Sequence, residues 1–249
     1  MKKLYTKYFI TILSLLTLII TGCQSGRHSD AVTSDISRDI SSSRSLGTQW
    51  GDGIESHVQQ VSMQRTSFSP IDVITINYSG QQYNGKTISE VMLNNGRVGM
   101  AFLDDRDNKW PLTKQNNNVR LQGKTGQSYQ LFYRNYSGNT YEIIATVDGL
   151  DVINGKAGSF SNDGYILRPY DTLIIKGFRK SNNEVAAFTF SDSSNAYANH
   201  TTEGSPRNIG VIGTAIFQLE DNNKNYQKIS PNAFPADKAN GTYAQPPVY

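Results

Sequence analysis

Short runs of β-branched and aromatic residues, closed by turn dipeptides, constrain this chain more than any other feature. Ile71-Asp72-Val73-Ile74-Thr75-Ile76-Asn77-Tyr78 lies between Pro70 and Gly80, and such residues suit a pleated, half-buried surface. Further runs follow at 97–103, 128–134, 141–147, 164–167, 172–178, 184–190 and 208–219. Asp148-Gly149, Asn154-Gly155, Asp163-Gly164 and Arg168-Pro169 separate several of them. These pairs supply the left-handed or fixed backbone angles that tight turns need. Many short strands with regular turns predict an all-β fold, an antiparallel β-sandwich or a partly open barrel. The runs 128–134 and 141–147 read as one hairpin around 135–140. One short helix is expected over 87–95, with Thr87 as cap, Glu90 at capping-box spacing and Gly96 just past the end. Leu46 to Gly53, with three glycines and Trp50, reads as an entrance loop, and Ile54 to Met63 as a short helix or a strand. Asn-Tyr-Ser-Gly occurs twice, at 77–80 and 135–138, with Tyr83 and Tyr141 at the same offset. A duplicated strand-turn-strand unit would explain the echo, and so would the turn preferences of Asn, Ser and Gly.

The N-terminal segment is of a different kind. Lys2, Lys3 and Lys7 precede an apolar run from Tyr8 to Ile20, which is short of the ~20 residues that span a bilayer. Ile19-Ile20-Thr21-Gly22-Cys23 closes the run and carries the only cysteine. This stretch resembles the lipobox of bacterial lipoproteins, with Ile19 departing mildly from the usual Leu. The resemblance implies that residues 1–22 leave as a signal peptide and that Cys23 is lipidated. Gln24, where an Asp is associated with inner-membrane retention, implies sorting to the outer membrane. An ordinary secretory signal, or one membrane helix with an incidental cysteine, is the alternative.

Four segments follow: signal peptide 1–22, flexible tether 23–48, β-rich domain 49–222, and a polar, Pro-containing tail 223–249. The tether is rich in Ser, Asp and Arg and has too few apolar residues to offset its ordering entropy. The chain holds 24 basic and 21 acidic residues, and three of the lysines lie in the leader, so cleavage leaves 21 of each sign. A neutral chain has no electrostatic footprint for nucleic acid. With Cys23 lipidated no thiol remains for a disulfide, a metal or a nucleophile.

Chemistry-bearing motifs are sparse. The chain lacks Gly-x-Ser-x-Gly, Ser-x-x-Lys, His-Glu-x-x-His and a phosphate-binding glycine loop. The β-rich part holds two histidines, His57 and His200, and His200 lies in a polar stretch that reads as an exposed loop. Asp104, Asp105, Asp107 and Asn108 offer oxygen ligands, but without the spacing or distal Glu of an EF-hand loop, so a solvated turn is expected and no metal. Tyr129, Phe132, Tyr133, Tyr136 and Tyr141 form an aromatic group. Alternation puts Tyr129 and Tyr133 on one face and Phe132 on the other. Tyr129 and Tyr133 are therefore candidate ligand-binding residues for sugar or peptide, with cross-strand packing as the alternative.

The stretches Val147 to Gly155, Gly164 to Leu167, Gly177-Phe178-Arg179, Val185 to Phe188 and Arg207 to Gly213 resemble a group of proteobacterial envelope proteins of unassigned function. The likeness covers about the middle and C-terminal thirds of the mature chain. It implies one β-rich module and carries over no catalytic residue. Arg179 and Arg207 flank strands and are expected to pair with Asp148 or Glu184, or to bind a partner's carboxylate. Taken together, the sequence predicts a non-enzymatic outer-membrane lipoprotein without cofactor, anchored through its lipid and contacting an envelope protein or the cell wall. The alternative is a glycan- or peptide-binding β-module using exposed tyrosines. A hydrolase with a cryptic site around His200 stands behind both.

Overall fold

The computed structural model describes residues 45–61, 63–220, 232–235 and 243–249. The signal segment, Cys23 and all but the end of the expected tether lie outside the described residues. The first strands are β1 (Leu46–Glu55), β2 (Val58–Val61), β3 (Asp72–Ser79), β4 (Lys86–Ile88), β5 (Val91–Leu93) and β6 (Val98–Leu103). Then come β7 (Leu112–Gln115), β8 (Asn118–Gln122), β9 (Ser128–Asn135), β10 (Tyr141–Val147), β11 (Leu150–Asp151) and β12 (Tyr165–Leu167). The last are β13 (Thr172–Ile175), β14 (Gly177–Arg179), β15 (Glu184–Asp192), β16 (Val211–Gln218) and β17 (Asn232–Pro235).

These strands form two sheets packed as a sandwich, with no closed barrel. The first sheet runs β1-β15-β9-β6-β5, with β13 on β9 and β14 on β15. The second runs β2-β17-β12-β10-β16-β3-β8-β7-β4, with β11 on β10. Pairing is antiparallel except at β3–β8 and β2–β17. Strand β9 shows the logic. Tyr129, Leu131, Tyr133 and Asn135 are buried, and the residues between them are not, as the period of two demands. Its apolar face meets Tyr141, Ile143, Val147, Ile212 and Ile216 of the facing sheet in one cluster. Each such side chain contributes ~1.5–3 kcal/mol by leaving water. Strand β10 is buried on both faces except at Thr146. Ile144 joins Ala215 and Phe217 in a small outer cluster, and the guanidinium of Arg65 lies 4.0 Å over the Phe217 ring while pairing with Glu142.

Several expectations are corrected. Strands β9 and β10 are not a hairpin, because they lie in different sheets. Asn135 turns the chain across the layers: its Nδ2 donates to the Asn139 and Arg168 carbonyls, and its Oδ1 accepts from Ser137 N–H. The expected helix over 87–95 is two strands, β4 and β5. Asn94, Asn95 and Gly96 all take positive φ, so Gly96 closes a β-hairpin onto β6 rather than capping a helix. The helical structure described is three single-turn 3-10 segments, at Ser193–Asn195, Tyr197–Asn199 and Pro206–Asn208. The entrance loop is strand β1, paired with β15 from Leu46 to Glu55 and bulged between Trp50 and Gly53. The domain therefore starts before residue 49. A Cβ on Gly51 would stand 2.6 Å from the Ala187 carbonyl, so that glycine serves close packing rather than loop freedom.

The expected C-terminal tail also contains structure. Strand β17 pairs with β2 and, at Ala233, with Ile166 of β12. The end of the chain docks as well: the Ala244 N–H points to the carbonyls of Ile153 (3.1 Å) and Arg179 (3.0 Å), and Val248 N–H donates to the His200 carbonyl. Tyr197 donates its hydroxyl to the Gln245 carbonyl at 2.6 Å. These are main-chain attachments, to which a count of apolar residues is blind.

Candidate binding cleft

Strands β3, β6 and β8 end, and β7 and β9 begin, at one end of the sandwich. Their connections enclose a cleft of about 890 Å³ whose lining includes Tyr83, Trp110, Arg106, Lys124, Gln122 and Gln127. The volume falls within the ~300–1,000 Å³ of small-ligand sites. The first wall is the 104–111 loop. Asp104 Oδ1 accepts the N–H groups of Arg106 (2.9 Å) and Asn108 (2.8 Å), and the Asn108 N–H holds its carboxyl below the ordinary carboxylate range. The acidic run that offered itself as a cation loop is thus a turn capped by its own first aspartate. A second wall is the β8–β9 loop, fixed by Gly126 N–H to the Phe190 carbonyl (2.7 Å) and Gly123 N–H to the Ser79 carbonyl (3.0 Å). The third follows β3, where the Tyr83 hydroxyl meets Ser79 Oγ at 2.6 Å and the Arg120 guanidinium lies 5.1 Å from the Tyr83 ring.

The floor is aromatic and rests on a buried polar network. Trp110 meets Phe190 edge-on at 5.7 Å, and Phe190 stacks on Tyr129 at 4.4 Å and leans on Tyr78 at 5.3 Å. Gly123 is required here, since a Cβ would lie 2.8 Å from the Phe190 ring. Beneath, Thr48 Oγ1 bonds the hydroxyls of both Tyr78 (2.8 Å) and Tyr129 (2.7 Å). Asp148 completes the network: Oδ2 accepts Thr48 N–H at 2.7 Å, and Oδ1 accepts the Tyr78 hydroxyl (2.7 Å) and Gly210 N–H (2.8 Å). Burial pushes the Asp148 carboxyl up to about 6 against the pull of these donors. Burial, and then the neighbouring Asp148 charge, push both tyrosines well above their ordinary range. Thr48 and Tyr129 belong to one sheet and Tyr78 to the other, so the network pins the two layers under the cleft and leaves its floor little freedom.

Tyr129 and Tyr133 do not reach solvent. Their relative exposures are 1% and 0%, which corrects the expectation that they stack on a ligand. Tyr129 lies against Phe188 and Phe190, and Tyr133 bonds Thr214 Oγ1 across the sheets at 2.7 Å. Alternation placed them correctly on one face, but that face is the interior. Trp110, not singled out from sequence, and Tyr83, noted there only as part of the Asn-Tyr-Ser-Gly echo, stand in the cleft instead. A Trp-Pro step between an acidic loop and a polar hairpin was the available signal. The ring Nε2 of His200 pairs with the Ser194 carbonyl at 3.0 Å, and the ring packs on Tyr249. Arg179 pairs with neither expected carboxylate. It is buried, with Nε donating to the Tyr165 hydroxyl (3.0 Å) and its terminal nitrogens to Ser56 and Ser181. Arg207 is exposed on its 3-10 turn.

A second groove, of about 510 Å³, crosses the outer face of the second sheet and is lined by apolar groups such as Val73, Ile144 and Phe160. Among the described residues no cluster of three or more His, Cys, Asp or Glu is arranged to hold a metal, and no helix is long and apolar enough to cross a membrane. No family model matches the chain, and no curated protein or solved structure matches it.

Proposed function

We propose that this protein is a lipid-anchored β-sandwich of the outer membrane that acts by binding rather than catalysis, and that the cleft around Trp110 receives its envelope ligand. The observation that carries the reading is an open polar cleft set on a floor immobilised by the Asp148 network, which spares a ligand the cost of ordering the site. Its location adds support. Leu46 pairs with Asp192, and Thr125, in the cleft's second wall, donates to Asp192 at 3.2 Å. The start of the described chain therefore lies at the cleft end. Cys23 precedes Ser45 by 22 residues, a span of at most ~75 Å when fully extended. A lipid on Cys23 keeps the cleft within that distance of the membrane. The likeness of residues 19–23 to a lipobox points to the same compartment.

The test has two parts. Cys23→Ala is expected to abolish metabolic palmitate labelling and leave unprocessed precursor; labelling that persists overturns the anchor. A photo-crosslinking residue at exposed position 127 of the full-length protein in cells is expected to form an adduct that Trp110→Ala removes. An adduct indifferent to Trp110, or none at all, overturns the cleft as the binding site.

A further inference from the structure

Resting on that reading, we infer that the ligand of the cleft is a carbohydrate chain, held by stacking on Trp110 and Tyr83 and by side-chain bonds from the surrounding amides. The lining has the mixture that sugars require. Pyranose rings present a C–H face with slight positive charge, which the negative face of an indole or phenol attracts. Their hydroxyls both donate and accept in the ring plane, and an amide side chain is the uncharged group that does the same. Gln82, Gln122 and Gln127 supply such amides around Tyr83 and Trp110. Thr87, Thr113 and Ser128 add hydroxyls.

The competing ligand classes fit less well. An extended peptide is held through main-chain bonds to an open sheet edge, with pockets for alternate side chains. Strands β6, β7, β8 and β9, which border the cleft, are each paired on both sides. The nearby edge strand β4 has only three residues and carries Lys86. Nucleic acid needs a run of cations to neutralise phosphates. Here Arg106 and Lys124, which form no ion pair among the described residues, stand beside Asp104 and Asp105 in the same lining. A pure hydrophobe has little to hold it, since the polar groups would lose water without gaining partners.

Two envelope sources share this chemistry, cell-wall glycan and lipopolysaccharide sugar. The experiment separates them by titrating the full-length protein in mild detergent with N-acetylchitotetraose and, in parallel, with a lipid-free lipopolysaccharide core oligosaccharide. Calorimetry and saturation-transfer NMR read the binding. At least one sugar is expected to bind, with affinity falling about tenfold in Trp110→Ala, the loss of one aromatic stacking contact. Gln127→Ala, an exposed position that does not threaten folding, is expected to weaken binding several-fold, and Trp50→Phe to leave it unchanged. Binding of the first sugar alone points to cell-wall glycan, and of the second alone to lipopolysaccharide; either supports the inference. Silence of both sugars overturns it. If the adduct at position 127 still depends on Trp110 while both sugars are silent, the cleft stands and only the ligand class falls. Sugar binding indifferent to Trp110 and Gln127 overturns the site.

Discussion

Asp148 and Asp151 lie three residues apart, both are buried, and burial raises both carboxyls to about 6. They nevertheless do different things. Asp148 takes donors from Thr48, Tyr78 and Gly210, which are 100, 70 and 62 residues away in sequence. Both its oxygens are used, and the donors come from both sheets. Asp151 turns inward on its own loop. Its Oδ1 accepts the N–H groups of Ile153 (2.9 Å) and Asn154 (3.0 Å). The Asn162 amide lies near enough to favour its charge, yet Oδ2 has no hydrogen-bond partner among the described residues. The same residue type at the same depth is a tie between layers in one place and a turn former in the other. Burial alone does not tell them apart; the sequence distance to the donors does.

The largest expected effect follows from that distance. Asp148→Ala leaves the buried Thr48 N–H and the part-buried Gly210 N–H without an acceptor and takes one of two partners from the Tyr78 hydroxyl beneath the cleft floor. Each unsatisfied donor costs ~1–3 kcal/mol, so a loss of about 4 kcal/mol is expected, read as a lower midpoint urea concentration at unchanged m value. Asp151→Ala frees two loop N–H groups that water reaches on modest loop movement, and about 1–2 kcal/mol is expected. Equal losses in the two variants break the comparison. The Asp148 variant is also expected to weaken the cleft, because Phe190 and Trp110 rest on the tyrosines it orients.

How this was legible from sequence differs between the parts. The β class and most strands were readable because β-branched runs and Gly-containing turns are local signals. Asp148-Gly149 was rightly a turn, with φ of 52° and 80°. The repeated Asn-Tyr-Ser-Gly also has a structural counterpart: Ser79 bonds Tyr83 and Ser137 bonds Tyr141, hydroxyl to hydroxyl at 2.6 and 2.9 Å. Layer assignment was not readable. The pairing of β9 with β6 and β15 instead of β10 depends on contacts distant in sequence. The polar hairpin β7–β8 was missed because only Leu112, Val119 and Leu121 of it are buried. The cleft was invisible for the same reason. It is assembled from three separate stretches, 82–87, 104–113 and 122–128, and its aromatic members lie outside the tyrosine-rich run that drew attention to Tyr129 and Tyr133.

The next effect is on pH. An unfolded aspartate titrates near ~3.9, whereas both of these titrate near 6 when folded. The folded chain therefore holds these protons more tightly, and their contribution is fully present below pH ~4 and lost as pH rises through 6. Between pH 7 and pH 5 each carboxyl is expected to add about 1 kcal/mol of stability. Urea unfolding at the two values reads the sum. Asp148→Asn and Asp151→Asn each remove one share, and the double variant removes both. A double variant with the pH response of the unaltered protein shows that neither carboxyl titrates where burial places it.

The smallest effect distinguishes the two sites by what covers them. The C-terminal segment 243–249 lies on the Asp151 side. Ala244 is buried and donates to the carbonyls of Ile153 and Arg179, and a Cβ on Gly155 would stand 2.9 Å from the Ala244 Cβ. No bond described links this segment to Thr48, Tyr78 or Gly210. Deleting 243–249 removes few apolar contacts, so a loss of about 1 kcal/mol is expected, or ~2–4 °C in Tm for a domain of this size. Water then reaches the 151–155 loop, and the Asp151 carboxyl relaxes toward its ordinary value. The truncated protein should keep the Asp148 share of the pH response and lose the Asp151 share, so that Asp151→Asn no longer changes its pH dependence while Asp148→Asn still does. Loss of both shares shows that the segment braces the whole sandwich and that the two aspartates belong to one unit. An unchanged Tm shows that the docking contacts of Ala244, Gln245 and Val248 contribute nothing to stability in solution.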